Sequence, residues 1–117
     1  ITPGGELHLI LYWQAESALE TDYTVFVHLL DAAGRRVSGW DSPPLAGDYP
    51  TSAWDAGEII ADEYIVPVPA DAAPGEHTIA VGMYSAHDGL RLPVLDAYGV
   101  RLPDDAVLLE ELTIEER

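Results

Sequence analysis

The amino-acid sequence predicts an all-β fold, a single antiparallel β-sandwich of immunoglobulin-like or jelly-roll type with about seven to nine strands. Most apolar residues alternate with polar ones at a period of two, as in strands that bury one face. Turn-forming residues separate these runs about every 10–15 residues, which is typical of a sandwich. The 117 residues, 48% of them apolar, are enough for one domain that buries roughly two thirds of its unfolded surface.

The first strands are predicted over residues 6–13 and 22–30. One face of the first run holds Leu7, Leu9, Leu11 and Trp13. The second run places Tyr23, Val25, Val27 and Leu29 on one face and Phe26, His28 and Leu30 on the other. Because both of its faces are largely apolar, it is expected to be a central strand with cover on each side. A tight turn at residues 31–34 then predicts a β-hairpin over residues 22–40.

The second half of the chain continues the same pattern. A long strand is predicted over residues 58–68, and Pro67 and Pro69 place its end at an edge or exit of the sheet, since proline cannot donate to a ladder. Further strands are predicted over residues 77–84 and 90–95 and over about 107–114. In the last run, one face is expected to carry Leu108, Leu112 and Ile114. A helix over residues 106–117 is the alternative, but Leu-Thr-Ile and the missing cap favour a strand.

The stretch between residues 37 and 69 is the most informative. It contains a long loop rich in proline, glycine and aromatic residues, and such loops commonly carry the recognition surface of a β-domain. Residues 42–57 are expected to be ordered, with Asp41 and Asp62 near the roots of the loop. The candidate ligand-binding residues are Trp40, Tyr49, Trp54, Asp41 and Asp62. Exposed rings beside carboxylates would suit a sugar, whereas buried rings would anchor the loop.

Charge and composition exclude several classes of function. The formal net charge is −16, from 21 Asp and Glu against five Arg and no Lys. Nucleic acids and anionic membrane surfaces would be repelled. Solubility explains the charge, and calcium binding is the alternative, with Asp41, Asp48 and Asp55 as weak candidate ligands outside any EF-hand spacing. No cofactor is expected, and the absence of cysteine excludes a disulfide framework.

Catalysis has little support in the sequence. There is no Cys and no Gly-x-Ser-x-Gly elbow. Asp41, Asp55, Glu58 and Asp62 could converge near the loop, but glycosidase chemistry needs a defined carboxylate pair across a cleft, which a lone sandwich of this size seldom builds. The four His residues show no metal-ligand spacing. For His28 we expect a structural role with a carboxylate partner, Asp41 or Asp62.

Several strings in the chain resemble a known domain. They include Leu11-Tyr-Trp-Gln-Ala15, Asp22 to Asp31, Asp41-Ser-Pro-Pro44, Tyr49 to Trp54, Gly57-Glu58, Asp62-Glu-Tyr64, Gly82-Met-Tyr84 and Arg91-Leu-Pro93. The resemblance spans residues 3–114. It is to a C-terminal extracytoplasmic β-sandwich of bacterial multi-pass membrane proteins of the glycosyltransferase type, similar to dolichyl-phosphate-mannose mannosyltransferases. It implies a context but no ligand or catalytic residue, since the transferase chemistry would lie in the membrane portion.

The sequence and the resemblance together predict a non-catalytic accessory or structural domain. It is expected to be tethered outside the cytoplasm through a parent membrane protein and to contact that protein or a glycan. The chain opens at Ile1 without a signal segment, which predicts a domain, residues 1–117, excised from a longer protein. No apolar run approaches the ~20 residues that span a bilayer. A carbohydrate-binding module that uses the loop aromatics is the alternative, and a small glycan hydrolase is a distant one.

Overall fold

The protein is built from antiparallel strands. A computed structural model describes residues 1–95 and 97–115, which contain no α-helix. The strands are β1 (Glu6–Gln14), β2 (Tyr23–Leu30), β3 (Arg36–Ser42), β4 (Ile59–Pro67), β5 (Gly75–Ser85) and β6 (Val107–Ile114). Short 3-10 turns occur at Pro44–Gly47, Thr51–Ala53 and Pro103–Asp105. The all-β antiparallel prediction is confirmed. None of the helical turns in the described part of the chain has the length and apolarity to cross a membrane.

The strands form two sheets that share one hydrophobic core, in a sandwich-like arrangement. One sheet has the order β3-β2-β5-β6, and the other pairs β1 with β4. The central position predicted for β2 is therefore confirmed. Its inner face, together with the inner faces of the other strands, supplies fully or nearly fully buried residues: Val25, Val27, Leu29, Ile60, Tyr64, Val66, Ile79, Val81, Met83 and Ile114. The sheets also meet at one edge, where the Ser38 hydroxyl donates to the Pro67 carbonyl.

The hairpin of β2 and β3 follows from its turn. The Asp31 amide donates to the Arg35 carbonyl at 2.8 Å, and the Asp31 side chain accepts from the Ala33 and Arg35 amides at 2.9 Å each. Gly34 has a φ of 80°, a conformation that costs glycine little. This turn sets the register that pairs Phe26 with Asp41 across the hairpin.

Two details of the second half differ from the prediction. Residues 90–95 do not form a regular strand, because the segment pairs with β5 only around Arg91 and Leu92 before it turns back to a bridge between Leu95 and Arg101. The prediction that Leu108, Leu112 and Ile114 share a face is wrong for Leu108. An irregularity in the β5–β6 register pairs Leu108 with Ala80 on the outer face, since one extra residue in a strand reverses its side-chain alternation.

Candidate functional site

The central loop is ordered by its own aromatic residues. The Trp54 side chain is only 4% exposed, and its indole Nε1 donates to the Tyr49 carbonyl at 2.9 Å. The Tyr49 hydroxyl in turn donates to Glu58 at 2.6 Å. This bond is the main reason that the pKa of Tyr49 is raised to about 12 and that the pKa of Glu58 is lowered. Tyr49 and Trp54 therefore anchor the loop, and Trp54 presents no ring face to a ligand.

A buried threonine fixes the same loop to the start of β2. Thr51 has no solvent exposure, and its hydroxyl donates to the Thr21 carbonyl at 2.8 Å while it accepts from the Tyr23 amide at 3.0 Å. A buried hydroxyl requires such partners, because an unpaired one would cost on the order of 1–3 kcal/mol. The loop is thus a structural element of the sandwich. Threonine at this position gave no distinguishable signal in the sequence.

Trp40 is the one candidate ring that stays largely in solvent. Its side chain is 52% exposed, and in the register of β3 it lies opposite Val27, on the inner side of an edge strand. Tyr49 is half-buried and packs against the core. The three rings therefore differ in exposure, and the structure does not place them in one solvent-facing row.

Asp41 and Asp62 belong to different sheets: Asp41 lies on the outer face of the four-stranded sheet, and Asp62 points from β4 into the core, so these two carboxylates do not converge near the loop. Asp62 points inward from β4 and is 4% exposed, with the Tyr64 hydroxyl donating to it. Asp41 lies across from Phe26 on the outer face. The alternation of β4, which buries Ile60, Asp62, Tyr64 and Val66 in turn, brings Asp62 into the core.

The acidic residues do not assemble a metal site in the described structure. Among the His, Asp and Glu side chains that the structure describes, no three lie close enough together to hold an ion. Asp41, Asp48 and Asp55, the weak calcium candidates, are not brought into one such group. Asp41 instead accepts a hydrogen bond from the Tyr84 hydroxyl at 3.1 Å.

A groove that the sequence did not indicate lies on the outer face of the four-stranded sheet. We call it the outer-face groove; two adjoining cavities of about 720 and 290 Å³ form it, and both are lined by Phe26, His28, Arg36 and Arg91. Phe26 is 1% exposed and belongs to a small second core with Ala80 and Ala106. Tyr84 and Asp41 line one end of the groove.

Small residues make room for this groove. Gly82 pairs with Phe26 across β2 and β5, and a Cβ there would lie 2.5 Å from the Phe26 ring and 2.9 Å from the Asp105 carbonyl. At Gly39 a Cβ would lie 2.9 Å from Arg36 Nη2 and 3.0 Å from the His28 ring. Larger side chains at either glycine would displace these groups, so the sheet at this point requires residues without a Cβ.

Two arginines face the groove. The Arg91 guanidinium lies 4.3 Å from the centroid of the Phe26 ring, a cation–π distance, and donates to the Asp104 carbonyl at 2.7 Å. Arg36 lies over Gly39, beside His28. The chain has only five arginines against 21 acidic residues, so the placement of two of them in one groove sets this surface apart from the rest of the protein.

His28 occupies the centre of the groove and has Asp41 as its carboxylate partner, as the sequence predicted; Asp62 is not involved. The distance from His28 Nε2 to Asp41 Oδ1 is 3.4 Å, which is long for a hydrogen bond. This buried nitrogen has no hydrogen-bond partner within the described residues. Burial lowers the pKa of His28 below its usual 6.5, and the Arg36 charge adds to the effect, although Asp41 opposes it.

Tyr84 completes the polar end of the groove. Burial is the largest cause of its raised pKa, and the negative charge of Asp41 acts in the same direction. The hydroxyl therefore stays protonated near neutral pH and can donate. Together the groove offers guanidinium and hydroxyl donors, a neutral imidazole and one carboxylate, beside the apolar side chains of Leu30, Leu102 and Leu108.

Comparisons with known proteins assign no function to this groove. The chain matches no protein-family model, no curated protein and no solved structure. Its resemblance to the extracytoplasmic domain of glycosyltransferase-like membrane proteins stays a prediction.

Proposed function

We propose that this chain is a non-catalytic accessory domain of an extracytoplasmic bacterial membrane protein, with an immunoglobulin-like or jelly-roll sandwich. In this proposal the domain acts by contact with its parent protein, and any transferase chemistry belongs to the membrane portion. The resemblance seen in the sequence supplies the context. The internal contacts of the central loop supply the main structural support.

The observation that carries the proposal is the use of the loop aromatics inside the fold. Trp54 is buried and hydrogen-bonded to Tyr49, which in turn bonds Glu58. Rings that stabilise a loop in this way are not free to stack on a sugar. This favours the structural interpretation of the loop over the carbohydrate-binding one.

The outer face of the two-stranded sheet supports a contact with other protein. Its side chains point away from the core and include four large exposed apolar residues, namely Ile10, Tyr12, Ile59 and Ile65. Exposed apolar surface of this kind, on one face of a sheet, is typical of protein interfaces. We assign this face to the contact with the parent membrane protein.

A crosslinking experiment tests this assignment. A photoreactive phenylalanine analogue at Tyr12, in the protein expressed in its native cell, should crosslink to a multi-pass membrane protein of the glycosyltransferase type. The matched control is the same analogue at Asp71, an exposed residue in the turn between β4 and β5. It lies outside the two strands of this face and should give no such product. Equal crosslinking from both positions, or none from Tyr12, would contradict the proposal.

Glycan binding through the loop is the alternative function, and the exposure of Trp40 keeps it testable. A structural loop predicts that tryptophan fluorescence does not change when neutral oligosaccharides are added. A fluorescence change that disappears in Trp40→Ala, but persists in Trp13→Phe, would place glycan binding ahead of the accessory role.

A further inference from the structure

Arg36 is an arginine without a carboxylate partner in a strongly acidic protein. Among the side chains that the structure describes, no carboxylate lies within ion-pair distance of it, although the chain has 21 Asp and Glu. Its neighbour Arg35 reaches Asp31 at 3.6 Å, and Arg101 binds Asp105 at 2.5 Å. The Arg36 guanidinium, which lines the outer-face groove, is thus available to an anion from solution.

Other donors face the same groove. The Arg91 guanidinium is held over Phe26 by its bond to the Asp104 carbonyl, so its position is fixed before a ligand arrives. His28 Nε2 is buried and, beyond its long 3.4 Å approach to Asp41 Oδ1, makes no hydrogen bond among the described residues. Buried polar atoms are nearly always paired in proteins, and an unpaired one beside a cavity marks a place where a ligand atom can bind.

We propose that the outer-face groove binds an acidic sugar, a ligand of monosaccharide size with a single carboxylate. Arg36 holds the carboxylate, His28 and Arg91 contact the ring substituents, and Asp41 accepts a hydrogen bond from a sugar hydroxyl. This proposal does not depend on which protein the domain belongs to or on where in the cell it is located. The site also differs from the loop surface around Trp40.

The choice of a carboxylate follows from the charges. A guanidinium presents paired N–H donors that match a carboxylate in a bidentate geometry. Asp41 lies in the same groove and accepts from Tyr84, so a phosphate dianion would meet stronger repulsion than a monoanion. The net charge of −16 repels polyanions as well, and this favours one acidic residue over a long acidic polymer.

The choice of a sugar follows from the floor and the size of the groove. Leu30, Leu102 and Leu108 line the larger cavity with partly or largely exposed apolar side chains, and the C–H groups of a sugar ring can pack against them. The larger cavity, about 720 Å³, lies in the size range of small-molecule sites. Asp41 supplies a hydroxyl acceptor, which a simple anion would not use.

Nuclear magnetic resonance of the His28 ring provides the test. Methyl glucuronide added to the whole chain should shift the His28 Cε1–H resonance saturably, and methyl glucoside, its neutral counterpart, should not. Arg36→Gln should raise the dissociation constant about 10- to 100-fold, as for the loss of a hydrogen-bonded charge. Arg35→Gln is the matched control: it removes the same charge one residue away and should leave binding unchanged.

Three results would overturn the proposal. Equal binding of the glucoside would show that the carboxylate is not recognised. An equal loss of affinity in Arg35→Gln and Arg36→Gln would show that binding responds only to the net charge of the protein. Inorganic phosphate that displaces the glucuronide at equal concentration would show a general anion site. A thermal unfolding curve for Arg36→Gln that matches the wild type would confirm that any loss of binding arises in a folded protein.

Discussion

Replacement of Trp54 by alanine is expected to cost this domain about 4–5 kcal/mol. The side chain is 4% exposed and lies in the main core. A buried Trp removes on the order of 200 Å² from water, which corresponds to about 5 kcal/mol at about 25 cal/mol per Å². Partial relaxation of the cavity lowers this figure, and the lost Nε1 bond to Tyr49 adds about 1 kcal/mol. The result lies in the upper part of the range of about 3–5 kcal/mol observed for Trp→Ala.

Urea unfolding followed by circular dichroism measures this loss. A domain of this size has a total stability of about 5–15 kcal/mol, so the variant should still fold, with its midpoint lowered by roughly 2–3 M urea. Trp40→Ala is the control, because a ring that is 52% exposed should cost about 1 kcal/mol or less. A loss below about 1 kcal/mol for Trp54→Ala would refute the anchoring role and favour a ring that is free to bind glycan.

Three other predictions concern the interior of the sandwich and the groove. Burial and the neighbouring guanidinium groups lower the pKa of His28 below 6.5, so as the pH falls the unfolded protein protonates His28 before the folded protein does. The stability that is present above about pH 6.5 should therefore be lost as the pH falls through the folded pKa, and the loss should be smaller in His28→Asn. A folded pKa at or above 6.5 in a proton resonance titration would contradict this prediction. Gly82→Ala should cost about 1–3 kcal/mol and shift the Phe26 ring resonances, because its Cβ would lie 2.5 Å from that ring; a variant as stable as the wild type would disprove the tight contact. Tyr64→Phe should cost about 1–3 kcal/mol in urea unfolding, since it removes the hydroxyl that donates to buried Asp62; a neutral result would mean that the carboxylate finds other donors.

The strands that the sequence predicted well have strong local signals. In β2 both faces are apolar, and the central position follows from that pattern. The hairpin turn at Asp31 and Gly34 is also a local feature, fixed by one side chain and one glycine. The face of Leu108 was not predictable in this way. It depends on an irregularity in the register with β5, which arises from packing between strands that no short window of sequence contains.

The candidate site likewise has one part that the sequence predicted and one part that it did not. The pairing of His28 with Asp41 was predictable, because both residues belong to one hairpin and lie within two positions of each other in its register. The groove as a whole was not. Arg91 reaches the Phe26 ring only because the segment after β5 folds back over that strand, and Arg36 looks like any surface arginine until the sheet places it there. A contact between segments that are distant in the chain produces no periodic pattern in the sequence, so it could not be predicted.

Among the strands that the structure describes, β1 pairs with β4 alone, and this has a consequence for synthesis on the ribosome. β1 ends at Gln14 and its partner begins at Ile59, so 44 residues lie between them. At about 5–20 residues per second, the first strand waits about 2–9 s for the strand that covers its edge. During that interval its apolar face has no sheet to join, and exposed strands of this kind are prone to aggregate. During its synthesis β1 is thus a segment of the domain that chaperones can protect, well before the outer-face groove has formed.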